Sequence, residues 1–535
     1  MKTLKKLFTI LAIILVAVMA FAPAKSLAND DAPLTITVTG DVAGRNLSVY
    51  KIFKLTKNAD GTYTYDWADD AVKTYFTNKK YDTVLKATDY LKTLGEKNDI
   101  AGLNAFAQDF YSNAEATPVA TTPNGDSTST KYIYDVTGEG YYLVYDITAA
   151  DNLTDENGQE RPRSAAMLAN IEVTEGSNNE IALKAEKTDV TKTVDKKTAG
   201  VGEDVEFTVS SKVPNVAPYK TFTFTVVDKL SEGLTLDEKS ILVEIGGDKY
   251  LATVEDEKGN TITQYTVESS TDETTGETTL TITFTPEEFA KLTDKIGKDI
   301  TITYNAKVNE EAAVAIENSN EVKIVYSNDP TTDGTGTTEE KKVYVYTFAI
   351  DFTKKNVKDE VLPGAEFILK AIILDEDGNE VTKYVKLDER DESYVFNSYV
   401  DTEAEATVLT SDDDGLFSVS GLKAGKYELE EITAPDGYDK PTFPFTFEIN
   451  PTYEQNGTLK SVTFNYTADN VEVQKGYVDD ETLNTVGRFT IDVLNAKDGM
   501  LPTTGGIGTT IFTVVGIVVM AAAVVALVAH NRKND

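Results

Sequence analysis

The chain has 535 residues, 88 of them acidic against 51 basic, which gives a formal net charge of −37; it has no cysteine and one histidine. So much acid repels phosphate and excludes nucleic acid as a partner, and the length exceeds what one core can serve, so about three domains are expected. Disulfides, thiolate metal sites and cysteine nucleophiles are excluded, and with the one histidine, His530, near the chain end, so are a Ser-His-Asp triad and a histidine metal site in the body of the protein. Neither a metal nor a cofactor is expected.

Lys2, Lys5 and Lys6 precede an apolar run from Leu7 to Phe21 and the small-residue pattern Ser26-Leu27-Ala28. That order predicts a secretory signal peptide over residues 1–28, cleaved after Ala28. A first domain is expected over 29–186. Apolar and polar residues alternate from Leu34 to Val38, and again, with aromatics, from Leu47 to Phe53, so both read as half-buried strands. Between 68 and 113, Val84, Leu85, Tyr90, Leu91 and Leu94 fall at helical spacing and predict one or two short helices. Strand character returns from Lys131 to Val136 and from Gly140 to Tyr145.

A second domain is expected over 187–330, where alternating runs around Val190–Val194, Val205–Val209, Phe222–Leu230, Ile300–Tyr304 and Val322–Tyr326 predict a β-sandwich. Thr331 to Thr338 contains no apolar residue and reads as a linker over 331–342. The third domain, 343–499, has strand-like runs from Val343 to Lys354, from Gly415 to Val419, from Lys426 to Ile432 and from Phe489 to Asn495. Asp375–Glu380 and Ser411–Gly415 gather acids around a glycine but lack the terminal Glu of a calcium loop, so hairpin turns are expected there. Leu501-Pro502-Thr503-Thr504-Gly505 follows, then an apolar stretch over 507–529 long enough to span a bilayer, then a basic tail over 530–535. Arg532 and Lys533 assign the tail to the cytoplasm and everything upstream to the outside. The fold class expected is mainly β: tandem immunoglobulin-like β-sandwich domains with a few short helices in the first, a signal peptide and a C-terminal transmembrane helix.

The pentapeptide, apolar helix and basic tail together resemble the cell-wall sorting signal of Gram-positive surface proteins. Tyr427-Glu428-Leu429-Glu430-Glu431-Ile432-Thr433-Ala434-Pro435-Asp436-Gly437-Tyr438 resembles the E-box of pilins and of collagen-adhesin B-type (prealbumin-like) domains, and the wording of the second domain resembles the isopeptide-forming middle domain of pilins. Nearly the whole chain resembles Spa-type LPXTG fimbrial subunits. The resemblance implies that a sortase thiolate attacks the Thr504 carbonyl, that the acyl-enzyme is resolved by an amine, and that the mature chain ends at Thr504 on the wall of a Gram-positive cell. The membrane helix is then only a transient stop. The partners implied are sortase, other pilin subunits, peptidoglycan and a host protein or glycan.

In that family the resolving lysine sits in a Trp-x-x-x-Val-x-Val-Tyr-Pro-Lys motif. Here the matching region, Asn179 to Lys187, has no Tyr-Pro-Lys, which leaves Lys184 as the first candidate and Lys187 as the second. A shaft subunit, a singly anchored minor or basal pilin, and a ligand-binding adhesin are the readings that result, and an enzyme is not among them.

Both later domains hold a lysine on an early strand, an acid in the middle and an asparagine late. Strand alternation puts Ile350, Phe352 and Lys354 on one apolar face. A lysine buried there is costly unless neutralised, and burial lowers its pKa while raising that of a nearby acid. A protonated Glu431 can then polarise the Asn495 side chain while Lys354 attacks it, forming a Lys-Asn isopeptide bond with loss of ammonia. In the second domain the set is Lys192, Asp228 and either Asn318 or Asn320. Both asparagines share a side with Val322, Ile324 and Tyr326, so alternation does not choose between them.

Overall fold

The computed structural model describes residues 33–495, except 59–61, 155–159, 172–178, 186, 313–317, 376, 391–392, 442–443, 468–470 and 476–486. The expected signal peptide, the Leu501 to Gly505 motif, the apolar stretch over 507–529 and the basic tail lie outside the described residues. Among the described residues no helix is long and apolar enough to cross a membrane, and no group of His, Cys, Asp and Glu is placed to hold a metal.

The N-terminal module is built on a four-stranded sheet with Leu47–Lys57 and Gly140–Asp146 at its centre. Successive side chains alternate between its faces. Val49, Tyr142 and Val144 pack with Ile36, Val38 and Tyr134 of a second, three-stranded sheet. Tyr50, Ile52, Leu143 and Tyr145 pack on the other side against Tyr75, Phe76, Phe106 and Phe110 of the helices. Among the described residues between 68 and 113 there are three α-helices, Asp70–Asn78, Val84–Glu96 and Ile100–Asn113, where one or two were expected. Each has its own N-cap, because the side chains of Asp69, Thr83 and Asp99 accept from the amides of Val72, Lys86 and Gly102.

In the middle module the strands Thr191–Val194, Asp204–Lys212, Asp299–Val308 and Leu234–Ile245 lie side by side in one sheet. Phe224–Leu230, Thr278–Phe284 and Asn318–Ser327 belong to another. One core with Phe207, Phe224, Phe284, Phe289 and Tyr304 joins them. Residues 331–342, expected as a linker, are an ordered edge of this module. Thr335–Thr337 pairs with Val325 to Ser327, and Lys341–Val345 pairs with Asn318 to Val322. An edge strand is held by backbone hydrogen bonds and needs no apolar side chains, which is why its composition read as a linker.

The C-terminal module joins eleven strands in one continuous sheet around one core. Phe417 stacks between Phe352 and Phe367, each ring centre 4.8 Å away. The first strand, Phe348–Asn356, and the last, Arg488–Asn495, are adjacent and parallel, with Lys354 opposite Val493. The first acidic stretch is a hairpin turn, as expected, between the paired strands Glu366–Leu374 and Glu380–Arg390, with Asp375 accepting from the amides of Asp377 and Asn379. The second is a turn but not a hairpin: Asp412 accepts from the amides of Asp414 and Leu416, yet the strands it joins, Val408–Thr410 and Leu416–Leu422, pair with other strands and not with each other.

Specific contacts fasten the modules to one another. Between the first and second, Arg163 Nε pairs with Asp329 Oδ2 at 2.8 Å and Asn104 Nδ2 donates to the Pro330 carbonyl at 2.9 Å. Between the second and third, Val201 N donates to the Gly421 carbonyl at 3.0 Å and Lys423 pairs with Glu203 at 2.6 Å. Gly200 has no room for a side chain there, since a Cβ would sit 2.8 Å from the Phe396 ring.

Candidate functional site

In the C-terminal module the alternation of the first strand carries Phe348, Ile350, Phe352 and Lys354 to the buried face, and Lys354 has no exposed surface. Tyr427, Leu429 and Glu431 are buried along Gly425–Thr433, and Phe489, Ile491, Val493 and Asn495 along the last strand. Lys354 Nζ donates to the Val493 carbonyl at 3.1 Å, and Asn495 Nδ2 donates to Glu431 Oε1 at 2.8 Å. The other carboxyl oxygen, Glu431 Oε2, and the amide oxygen of Asn495 have no partner. Desolvation lowers the Lys354 pKa to about 8, against the pull of Glu431; desolvation likewise raises the Glu431 pKa, opposed by Lys354 and by the Asn495 hydrogen bond. Both shifts favour the neutral amine beside the neutral acid.

In the middle module Lys192 Nζ lies 2.5 Å from Asp228 Oδ2, both side chains fully enclosed. Burial lowers the lysine and raises the acid, so the pair is driven toward its neutral form. Asp228 is opposite Val322, and its neighbour-but-one Leu230 is opposite Asn320, so Asp228 and Asn320 are diagonal neighbours on one face. Lys192 reaches them from the facing sheet. Asn320 shares a partner with Lys192: the Tyr304 hydroxyl accepts from Lys192 Nζ and from Asn320 Nδ2, each at 2.8 Å. Asn318 is buried elsewhere. Its side-chain oxygen occupies the space that a Cβ at Gly233 would fill, and its amide nitrogen has no partner. Thus Asn320 joins the cluster and Asn318 does not.

Tyr304 was missed by the sequence analysis. Its signal was available: it falls on the core side of the alternation Ile300-Thr301-Ile302-Thr303-Tyr304, where a tyrosine hydroxyl needs a polar partner.

Lys184 lies just past Glu180–Ala182, which pairs in parallel with Thr37 to Thr39. Its backbone is held by Ser164 and Ala165. It lines a cleft between the first two modules with Arg163, Pro214, Tyr219, Phe222 and Pro330. Although the residue is exposed, desolvation by these walls lowers its ammonium pKa. Lys187, also exposed, lines a separate hollow with Asp189, Ser210, Lys212 and Asp299. Leu501, Pro502, Thr503, Thr504 and Gly505 lie outside the described residues.

The fold and these clusters define a modular β protein that buries a lysine, an acid and an amide together in each of two cores. Family models match the second and third modules and the C-terminal anchor. A Gram-positive pilin backbone subunit 2, Cna-B-like domain matches residues 201–330, a SpaA-type prealbumin-like fold domain matches 348–467, and the LPXTG cell wall anchor motif matches 495–535. The chain therefore carries two domains that match those of Gram-positive pilins and the LPXTG cell wall anchor motif of surface proteins.

A relative of known sequence, the trypsin-resistant surface T6 protein of Streptococcus pyogenes serotype M6, is 24% identical over 397 residues. That match spans 64% of this chain and 66% of the relative, just under two thirds of its length. Among solved structures, the T6 backbone pilin of Streptococcus pyogenes is 17% identical, with a TM-score of 0.48, covering 89% of this chain and 100% of that one. The major pilin SpaD of Corynebacterium diphtheriae is 19% identical, with a TM-score of 0.46, covering 88% and 98%.

Proposed function

We propose that this chain is a sortase-processed fimbrial shaft subunit, reinforced by one Lys-Asn isopeptide bond in each of its two later domains and serving attachment of the cell to a host protein or glycan. In this reading the precursor loses a signal peptide at 1–28 and carries domains over 29–186, 187–330 and 343–499. Sortase cleaves it between Thr504 and Gly505. The observation that carries the reading is the Lys354, Glu431 and Asn495 cluster, three polar groups enclosed in an aromatic core between the first strand and the last. Such burial is costly for groups that stay separate, and the cost is removed if they become one neutral amide.

The chemistry follows from the atoms present. Turning the Asn495 amide over brings its unpaired oxygen to Glu431, where a protonated carboxyl can donate to it. The neutral Lys354 amine adds to Cγ, its proton passes through Glu431 to Nδ2, the Cγ–Nδ2 bond breaks and ammonia leaves. The middle domain couples Lys192 to Asn320, also with loss of ammonia, and Asp228 is the acid beside the lysine. Each domain reacts once, with itself.

Between subunits, Lys184 is the amine that resolves the Thr504 acyl-enzyme, its lowered pKa leaving more of it unprotonated than an ordinary surface lysine. The test is an immunoblot of muramidase-released wall proteins, boiled in detergent, from the parent strain and from Lys184→Ala. A high-mass ladder that collapses to monomer in the variant is expected. A ladder that persists moves the link to another lysine, with Lys187 next, and a monomer band in the parent strain overturns the shaft reading in favour of a singly anchored subunit.

A further inference from the structure

The two clusters differ in how the acid meets the amide. In the C-terminal module Glu431 bonds Asn495 directly at 2.8 Å. In the middle module the acid is Asp228, one methylene shorter, and the hydrogen bond of the Asn320 amide goes to Tyr304 Oη instead, at 2.8 Å. The same oxygen is 2.8 Å from Lys192 Nζ. Tyr304 therefore touches both the nitrogen that must attack and the nitrogen that must leave. Its ring is fully buried and packs on Phe207 with centres 5.6 Å apart, and the lysine ammonium lies over both rings. A phenol has two lone pairs and one hydrogen. The two nitrogens occupy the lone pairs.

We propose that Tyr304 is a catalytic residue of the middle-domain cross-link, shuttling a proton from the attacking Lys192 nitrogen to the departing Asn320 nitrogen. The inference rests on the isopeptide reading of that domain. Asp228 first takes the ammonium proton of Lys192 and leaves a neutral amine. As the Nζ–Cγ bond forms, Tyr304 Oη accepts a proton from Nζ and gives its own hydrogen to Nδ2. The Cγ–Nδ2 bond then breaks and ammonia departs, with the tyrosine back in its starting state. Proton count and charge balance, and no oxidant or further reactant is needed. The C-terminal cluster has no such relay among its contacts, because the longer Glu431 reaches the amide itself.

The test compares wild-type, Tyr304→Phe and Lys192→Ala ectodomains by intact mass against the mass of each sequence, followed over time from the moment of purification. Wild type is expected to lack two ammonia equivalents at once and Lys192→Ala to lack one permanently. Tyr304→Phe is expected to lack one at once and to lose the second at least about 100-fold more slowly, the low end of what a positioned acid-base group contributes. The C-terminal link in the same molecule reports that the chain has folded. If Phe disturbs packing, fluorotyrosine at position 304 keeps the shape and changes only the acidity of the phenol, and its coupling rate should shift. An unchanged rate in both variants, with Lys192→Ala still short of a link, overturns the role of Tyr304 and leaves the cross-link standing. A wild type that lacks only one ammonia, with Lys192→Ala no different, overturns the cross-link beneath it.

Discussion

Replacing Glu431 by Gln keeps the shape of a side chain that sits 2.8 Å from the Asn495 amide and removes the proton that the coupling needs. The variant should retain one ammonia more than wild type. The link from Lys354 to Asn495 closes a loop of about 140 residues, which in the chain-entropy account stabilises by about 5 kcal/mol. For a domain of this size each kcal/mol shifts the melting point by about 2 to 4 °C, so a fall of about 10 to 20 °C is expected. The mechanical effect is larger. A pull along the chain enters the C-terminal module at Phe348 and leaves past Asn495, and these ends belong to neighbouring parallel strands. With the link in place only the stretch from Phe348 to Lys354 lies on the load path. Without it the loop of about 140 residues can extend by about 500 Å. Single-molecule pulling of the two ectodomains, beside calorimetry and intact mass, measures all three quantities. A wild-type domain that extends by the full length refutes the cross-link. A variant that keeps its mass deficit refutes the need for the acid, and one that lacks the link yet melts within about 2 °C of wild type refutes the loop-closure estimate.

Asn320→Ala should remove the middle-domain ammonia loss while Asn318→Ala leaves it intact, as peptide mapping for a Lys192 linkage would reveal; the reverse result would mean that the Tyr304 contact misidentifies the acceptor. The reactive state of the C-terminal pair holds one proton, the same count as its ion pair. Its population is therefore level between the two apparent pKa values of the pair and falls on either side. Coupling in chains refolded from the unlinked state should slow above about pH 8, where Lys354 and Glu431 lose their shared proton, and again in acid below the raised Glu431 value, where both are protonated. Ammonia loss timed across pH checks both limbs. Phe417→Ala, which empties the stack between Phe352 and Phe367, should cost about 3 to 5 kcal/mol by denaturant titration of a Glu431→Gln background.

Much of the C-terminal cluster was legible in the chain. Strand alternation is local, so the presence of Lys354 on the same face as Ile350 and Phe352 could be read directly, and the acid and amide followed from the E-box and the last strand. The middle cluster was legible only in part. Asn318 and Asn320 are two residues apart on one strand and share a face, and what separates them is the neighbour each meets, Gly233 for one and Tyr304 for the other. The stretch over 331–342 misled because an edge strand is secured by backbone groups, which composition does not report. The helices of the first module were undercounted because the caps at Asp69, Thr83 and Asp99, and not the apolar spacing, divide them.

By itself, then, the sequence determined the anchoring motif, the β character of the chain and the inward-facing side of each strand, all of which are set by short stretches whose period or order is visible locally. Only the tertiary structure decided which inward residues meet. Lys192 and Asn320 belong to different sheets, and Lys354 and Asn495 come from opposite ends of a domain. Their approach depends on how sheets pack and strands pair, and no local pattern carries that distance.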